Sequence, residues 1–434
     1  MRLPASRCLL AACVLACLAA CAAHSPPAPS APEPRVLRVG TSGDYPPFTS
    51  MRDGRVSGFD AALLESFAAE RGYRLEWVRF RWPELLADLG AQRFALAASG
   101  LTLRPERSLL GRYTVPVARN GALLLLRRPA WASSPASPSA LDLLRALDRP
   151  EFTLAVNQGG HLERVARAHF ARARILAIPD NAAVREALAT GKADAALTNT
   201  VEGPRWAEGL PGIERVGPFT RDEVALFVAA SEARLAAELD TWLLAQEASG
   251  VLERLRVRDL GPGAHGATAT PVAALLSATA ERLALMPWVA QAKHRTGQPI
   301  EVPTQEARVL DAARKEAREA AAALGVPAPS DEALTAFFQA QMDAAKQVQR
   351  RTPPPADGAP VHSLDDALRP ALARISARIS ALVPRVPGGL ERESLRREAR
   401  TALASTGLEA QDIDRLADAL GALGGAPSPP AAGR

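Results

Sequence analysis

The sequence predicts a multidomain chain, an α/β half followed by an all-α half. Three observations carry this. Over residues 36–260 short apolar strand patterns alternate with helical ones, which argues for an α/β domain with largely parallel sheets. Over residues 271–424 apolar positions recur at the helical period and strand patterns are missing. Between them GPGAHGATAT, residues 261–270, breaks both patterns and reads as a linker.

The elements follow in order. MRLPASR and then CLLAACVLACLAAC give a basic start and a short apolar run, the pattern of an export signal over residues 1–21. Leu18, Ala19, Ala20 and Cys21 fit a lipobox with Cys21 as the lipidated first mature residue, and the small residues also suit ordinary signal cleavage. Either route places the chain in the periplasm, held at the outer membrane if Cys21 is lipidated. A Pro-rich tether covers residues 22–35. VLRVGTS, YRLEWVRF and FALAASG read as strands, ALLESFAAERG and ELLADLGAQ as helices. Beyond the linker, PVAALLSATAERLALM, EARVLDAARKEAREAAAALG, DEALTAFFQAQMDAAKQVQRR, SLDDALRPALARISARISALV, ESLRREARTALAS and DIDRLADALGAL read as helices. The last ten residues, 425–434, form a Pro-rich tail expected to be disordered. After the leader no stretch reads as long and apolar enough to span a bilayer.

Composition narrows the function. The net charge of +5 is mild for 434 residues and no dense Lys/Arg run is present, which argues against a nucleic-acid partner and suits small anionic substrates. All four cysteines lie in the leader, so the folded part has no thiol nucleophile and no disulfide. The six histidines lack metal-ligand spacing, and no metal or cofactor is implied.

AVNQGGHLERVARAHF, residues 155–170, reads as a strand end, a glycine turn and a helix. Gly159 and Gly160 permit a tight turn, and with Gln158 they offer donors to an anion. Yet Glu163 stands in the first helical turn, where a carboxylate would repel an anionic ligand. That placement suits an acid whose proton is kept available by a neighbouring negative charge.

VGTSGDYPPF, the Gly58–Asp60 GFD and SGLTLRPER at residues 99–107 resemble the two-lobed periplasmic solute-binding proteins of type 2 that take polar amino acids. The resemblance implies that Thr102 and Arg107 hold a ligand carboxylate between the lobes, a task suited to a guanidinium fork. It departs at Asn199, where the amino-acid binders carry an aspartate for the ligand ammonium, and at Ala122, where a lysine is common. A closer resemblance joins Trp82 in RWPELLADL, VNQGGHLERVAR, ILAIPDN and GKADAALTN to the cyclohexadienyl dehydratases. It implies that Glu163 is the general acid in loss of water and CO2 from prephenate, giving phenylpyruvate, or from arogenate, giving phenylalanine. Asp44 is a candidate for orienting the substrate or its departing hydroxyl.

In the helical half Arg282 and Lys293 are eleven residues apart. At about 100° per residue that is three turns plus roughly 20°, so both face one way. Pro287 between them is placed to kink the helix. AERLALMPWVAQAK, FFQAQMDAAKQVQ and LRPALARISAR resemble the exported, all-helical chorismate mutases. The resemblance implies that Arg282 and Arg369 bind carboxylates, that Lys293 contacts a carboxylate and the ether oxygen of chorismate, and that Gln349 hydrogen-bonds that oxygen. Arg378 is a weaker candidate. Glu306 is placed to accept a bond from the C4 hydroxyl. Gln305 and Ala345 depart from the arginine and the Ser or Thr usual there, with Arg308 one turn on as a compensating cation. The chain cannot form the disulfide some members carry.

Together the halves imply two consecutive reactions, chorismate to prephenate and prephenate to phenylpyruvate. The alternatives are a solute-binding transport component or a prephenate sensor fused to a mutase. A homodimer through the helical domain is left open.

Overall fold

The computed structural model describes residues 35–127, 140–261, 264 and 266–424. The leader with Cys21, nearly all of the tether and the tail lie outside the described residues.

The front half forms two lobes, each built on a five-stranded sheet. In the first lobe the order is Tyr73–Arg79, Arg35–Thr41, Leu96–Ala97, Phe227–Ala229 and Gly111–Tyr113. In the second it is Arg174–Ile178, Thr153–Asn157, Ala195–Asn199, Ala122–Arg127 and Ile213–Val216. Three strands of each run parallel, joined by crossover helices such as Phe59–Arg71 and His161–His169. The others are antiparallel, so the sheets are mixed rather than largely parallel. The reason is topological. The chain leaves the first lobe through Ala118–Asn120 and returns through Asp222–Val224, an antiparallel pair that links the lobes. A strand that arrives from the other lobe needs no crossover helix and can run against its neighbours. Apolar strands such as ALLLL in Ala122–Arg127 are buried on both faces, as a sheet covered by helices requires.

The back half is helical. Thr270 caps Pro271–Ala284 by accepting from the Ala273 N–H at 3.1 Å, with Pro271 in the first turn where its missing N–H costs nothing. The helix breaks at Leu285, two residues before Pro287, and resumes as Met286–Thr296. By length and composition Pro271–Thr296 is apolar enough to cross a membrane, contrary to expectation, but 72% of that window is buried in the protein. Pro303–Leu324, Asp331–Arg351, Arg369–Leu382, Arg392–Ala402 and Ala410–Leu423 complete the domain, and Gly297 and Gly325 close their helices in the left-handed region.

The junction is tighter than a linker. Glu247 accepts from the backbone N–H groups of Thr268 and Ala269 at 3.2 and 2.9 Å. It also pairs with the fully buried Arg256, which donates to Val117 O at 3.0 Å. One apolar core runs without interruption from Leu37, Phe59 and Trp242 of the first lobe to Leu275, Phe337 and Ile379 of the helical domain. The two faces of the second lobe's sheet have cores of their own. The helical domain is thus welded to the first lobe.

Candidate active sites

The front cleft lies between the lobes. It is lined by Tyr45, Trp82, Gly100, Thr102 and Arg107 from the first lobe, Asn157, Gly160, His161, Leu162 and Asn199 from the second, and Asn120 and Asp222 from the linking strands. Its free volume is about 30 Å³, little more than a water needs. This is a closed conformation. Tyr45 and Asn199 hydrogen-bond across the cleft, as do Arg164 and Glu106.

Arg107 is buried and well held. Its Nη1 donates to the Thr102 carbonyl at 3.2 Å, and its guanidinium lies 5.9 Å from the centre of the Trp82 ring. Trp82 stands edge-on to Tyr45 and Phe80 at 6.2 and 5.5 Å. An aromatic wall beside a guanidinium suits a flat, unsaturated ring that carries a carboxylate.

The structure brings Trp82, Thr102, Arg107, Gly160 and Asn199 together at the cleft. Asn199 is heavily committed: its Oδ1 accepts from the N–H groups of Val201 and Glu202 at 2.9 and 3.0 Å. Asp44, Gln158, Gly159 and Glu163 do not line the closed cleft. Asp44 lies behind Tyr45; its Oδ1 is buried without a hydrogen-bond partner, and burial first, then the charge of Asp180, raises its carboxyl above the ordinary range. The Gln158 side chain is exposed because its N–H bonds to Ile178 O at 2.9 Å and continues the strand edge.

Glu163 differs most from expectation. Its Oε2 accepts from the Gly159 N–H at 2.6 Å, and its Oε1 accepts from Arg167 at 2.7 Å. Partial burial pushes the carboxyl up. The Gly159 bond and the bond and charge of Arg167 outweigh it, and the net is below the ordinary value. The glycine turn therefore cradles the chain's own carboxylate rather than a ligand's. His161 does line the cleft, with its Nε2 3.1 Å from Asp222 Oδ1. No local pattern marks this pair, because 61 positions separate the residues and only the returning strand brings them together.

The second cavity, of about 730 Å³, lies in the helical domain. Arg282, Lys293, Glu306, Gln349 and Arg369 all line it, and so does Gln305. Arg282 is half-buried and donates to Gln341 O at 3.2 Å. Desolvation pushes it down to about 10, and it has no carboxylate partner among the described residues. Lys293 donates to Ile300 O at 3.0 Å and is also lowered, by burial first, while Glu306 raises it and Arg369 lowers it. Two desolvated cations in one cavity suit an anionic ligand. Gln349 is buried, with Nε2 on Ala345 O at 3.3 Å and Oε1 unpartnered.

Two expectations fail here. Arg308 is exposed and does not line the cavity, because its helix turns that face to solvent. Arg378 is buried at the domain junction, paired with Glu281. A further cation that does line the cavity is Lys346, whose Nζ lies 3.0 Å from Glu306 and 3.1 Å from Asp343. Its position one turn before Gln349 on the same helix was the available signal.

Comparison with known proteins accords with this geometry. Residues 37–261 match the bacterial extracellular solute-binding proteins, family 3, and residues 273–350 match chorismate mutase type II. A cyclohexadienyl dehydratase of Pseudomonas aeruginosa is 33% identical over 241 residues, covering 54% of this chain and 87% of that protein. A putative amino-acid ABC transporter-binding protein of Vibrio harveyi is 24% identical over 237 residues, covering 52% of this chain and 88% of its own length. Among solved structures, an ancestral amino acid-binding protein described as a precursor of cyclohexadienyl dehydratase is 26% identical with a TM-score of 0.47, covering 52% of this chain and 95% of that one. The chain belongs to the bacterial extracellular solute-binding proteins, family 3, and within them to the cyclohexadienyl dehydratases, with a chorismate mutase type II domain joined behind: a lyase and an isomerase in one polypeptide.

Proposed function

We propose that the helical domain converts chorismate to prephenate and that the front domain converts prephenate to phenylpyruvate, CO2 and water. The observation that carries this is the pairing of two cavities in one chain. One is large and holds desolvated cations with a neutral amide, and the other sets a guanidinium against an aromatic wall.

The first reaction is pericyclic and needs no nucleophile or proton transfer. One C–O bond breaks as one C–C bond forms. Arg282 and Arg369 hold the two carboxylates so that the substrate stays folded. Lys293 and the Gln349 amide stabilise the negative charge that grows on the ether oxygen. Lys346 supplies the positive charge that Gln305 does not.

In the second reaction Thr102 and Arg107 hold a carboxylate and Trp82 backs the ring. The ring carboxylate leaves as CO2, its bonding pair enters the ring, and the C4 hydroxyl leaves as water after taking a proton. Glu163 supplies that proton. It must first exchange Gly159 and Arg167 for the cleft and be protonated, which a dianionic substrate favours. A second reading has its own support. His161, not Glu163, faces the closed cleft, with its Nε2 3.1 Å from Asp222 Oδ1, which makes it the rival for the proton-donating role.

Membership of an extracellular family supports a reading in which both reactions run outside the cytoplasm and a lipid on Cys21 holds the chain to a membrane. Radiolabelled palmitate entering wild type and not Cys21→Ala would test the anchor.

The deciding experiment supplies purified protein with chorismate alone at neutral pH, with a chelator and an enzyme-free control. Phenylpyruvate formation supports both steps. Accumulation of prephenate reduces the front domain to a sensor or binder. Unchanged chorismate overturns the role of the helical cavity.

A further inference from the structure

The segment that carries Thr102 and Arg107 is held at its start by its own lobe, where the Leu103 N–H donates to Glu223 O at 2.9 Å and Thr102 bridges to Val224. The helix Pro105–Ser108 is a single turn, too short to be stable alone. The far end of the segment, at Ser108 and Leu109, is held from the other domain. Arg374 donates through Nη2 to the carbonyls of Ser108 and Leu109, each at 3.0 Å. The Ser108 hydroxyl donates to Glu281 Oε1 at 2.6 Å. Glu281 pairs with Arg378, which donates to Tyr113 O at 2.8 Å and Thr114 O at 3.3 Å. The Tyr113 hydroxyl then donates to Thr102 O at 3.1 Å and accepts from the Arg104 N–H at 3.2 Å. Thr102 O is the same carbonyl that receives Arg107. Ser108, Tyr113, Glu281 and Arg378 are all buried, so these bonds are shielded from water.

We infer that Arg374, Arg378 and Glu281 of the helical domain are positioning residues for the front reaction, holding Thr102 and Arg107 in register for the substrate carboxylate. The mutase domain is then a structural part of the dehydratase site. The inference rests on the reading of Thr102 and Arg107 as carboxylate ligands. Arg374 and Arg378 do not line the helical cavity, so they act on one reaction without entering the other.

The test uses the full chain. Arg378 is an unsafe first target, because its loss strands the buried Glu281 charge. Arg374→Met removes the two bonds to the Ser108 and Leu109 carbonyls, and Ser108→Ala removes the one bond to Glu281. Both reactions are measured in the same preparation, with KM and kcat for each, the Kd for prephenate, and Tm. For Arg374→Met we expect KM and Kd for prephenate to rise roughly tenfold, the effect of losing a charge-assisted hydrogen bond. Ser108→Ala should give a smaller rise in the same direction. In both, kcat for the front reaction and both constants for chorismate should stay within about twofold. Arg374→Lys, which can still reach a carbonyl, should recover part of the affinity. A wild-type affinity for prephenate in Arg374→Met overturns the inference. So does an equal fall of both activities together with Tm, which marks simple unfolding. A wild-type chain that neither binds nor converts prephenate sinks the reading of the front site and the inference with it.

Discussion

Gly159 of the second lobe lies against Pro83 of the first: a Cβ on Gly159 would stand 3.2 Å from Pro83 Cγ, and the glycine sits at φ +76°. Closure of the cleft therefore uses a residue without a side chain. Gly159→Ala should disfavour the closed state by about 1–2 kcal/mol from the backbone alone. The expected result is a roughly tenfold loss in kcat/KM for prephenate, with the chorismate reaction unchanged, measured on the full chain.

The proton donor can be assigned by two substitutions. If Glu163 delivers the proton, Glu163→Gln keeps prephenate binding and loses roughly 10²–10⁴-fold in kcat, while His161→Gln is milder. The reverse ranking assigns the proton to His161. Single-turnover rates with direct binding measurements separate chemistry from affinity.

In the helical cavity Lys346→Met should lower kcat/KM for chorismate by roughly tenfold to a hundredfold, the range for losing a charged hydrogen bond. Gln305→Arg should lower KM for chorismate if the cavity is short of positive charge. Continuous assay of chorismate loss reads both, and an unaltered Lys346→Met would remove that lysine from the site.

Two buried carboxyls give a pH signature. Burial, opposed by hydrogen bonds from Thr198 and Asn181, pushes Glu202 up to about 8, and burial pushes Asp60 up to about 7. The folded chain keeps protons that the unfolded chain releases in the ordinary carboxyl range. Stability is then greatest at the acid side of that window and falls as pH rises from there to about 8. Glu202→Gln, which mimics the neutral acid, should flatten part of this fall when Tm is followed from mildly acid to mildly basic pH. A wild-type Tm that tracks the variant across the range would show that Glu202 does not titrate there.

How far the sequence could be read depends on where each residue sits. In the helical cavity spacing bore only on Arg282 and Lys293, while Glu306, Gln349 and Arg369, on other helices, were legible only through the resemblance to the helical mutases. Lys346 lies one turn before Gln349 on the same helix and was overlooked because its charge reads as solvated surface. The front cleft was legible in Trp82, Thr102 and Arg107 of the first lobe and in Gly160 and Asn199 of the second. Glu163 at the first turn of its helix was visible, but not that its own Gly159 N–H would take its carboxylate. The His161 and Asp222 pair depends on lobe closure, which no local pattern encodes. The mixed sheets follow from a chain that crosses between lobes twice, a long-range fact that alternation of strands and helices does not carry.

The unbroken core beneath the junction has a consequence for how the protein fails. Heat, a core substitution in Pro271–Ala284, or a proteolytic cut in the bundle would not silence the mutase and spare its partner. The first lobe would lose the surface against which Leu37, Phe59 and Trp242 are continuous with Leu275 and Ile379. Calorimetry should record the first lobe and the bundle melting in one transition, with the second lobe the part free to melt apart. Damage to the shared core thus reaches the lyase half and the isomerase half together, and neither can lose its fold there while the other keeps its own.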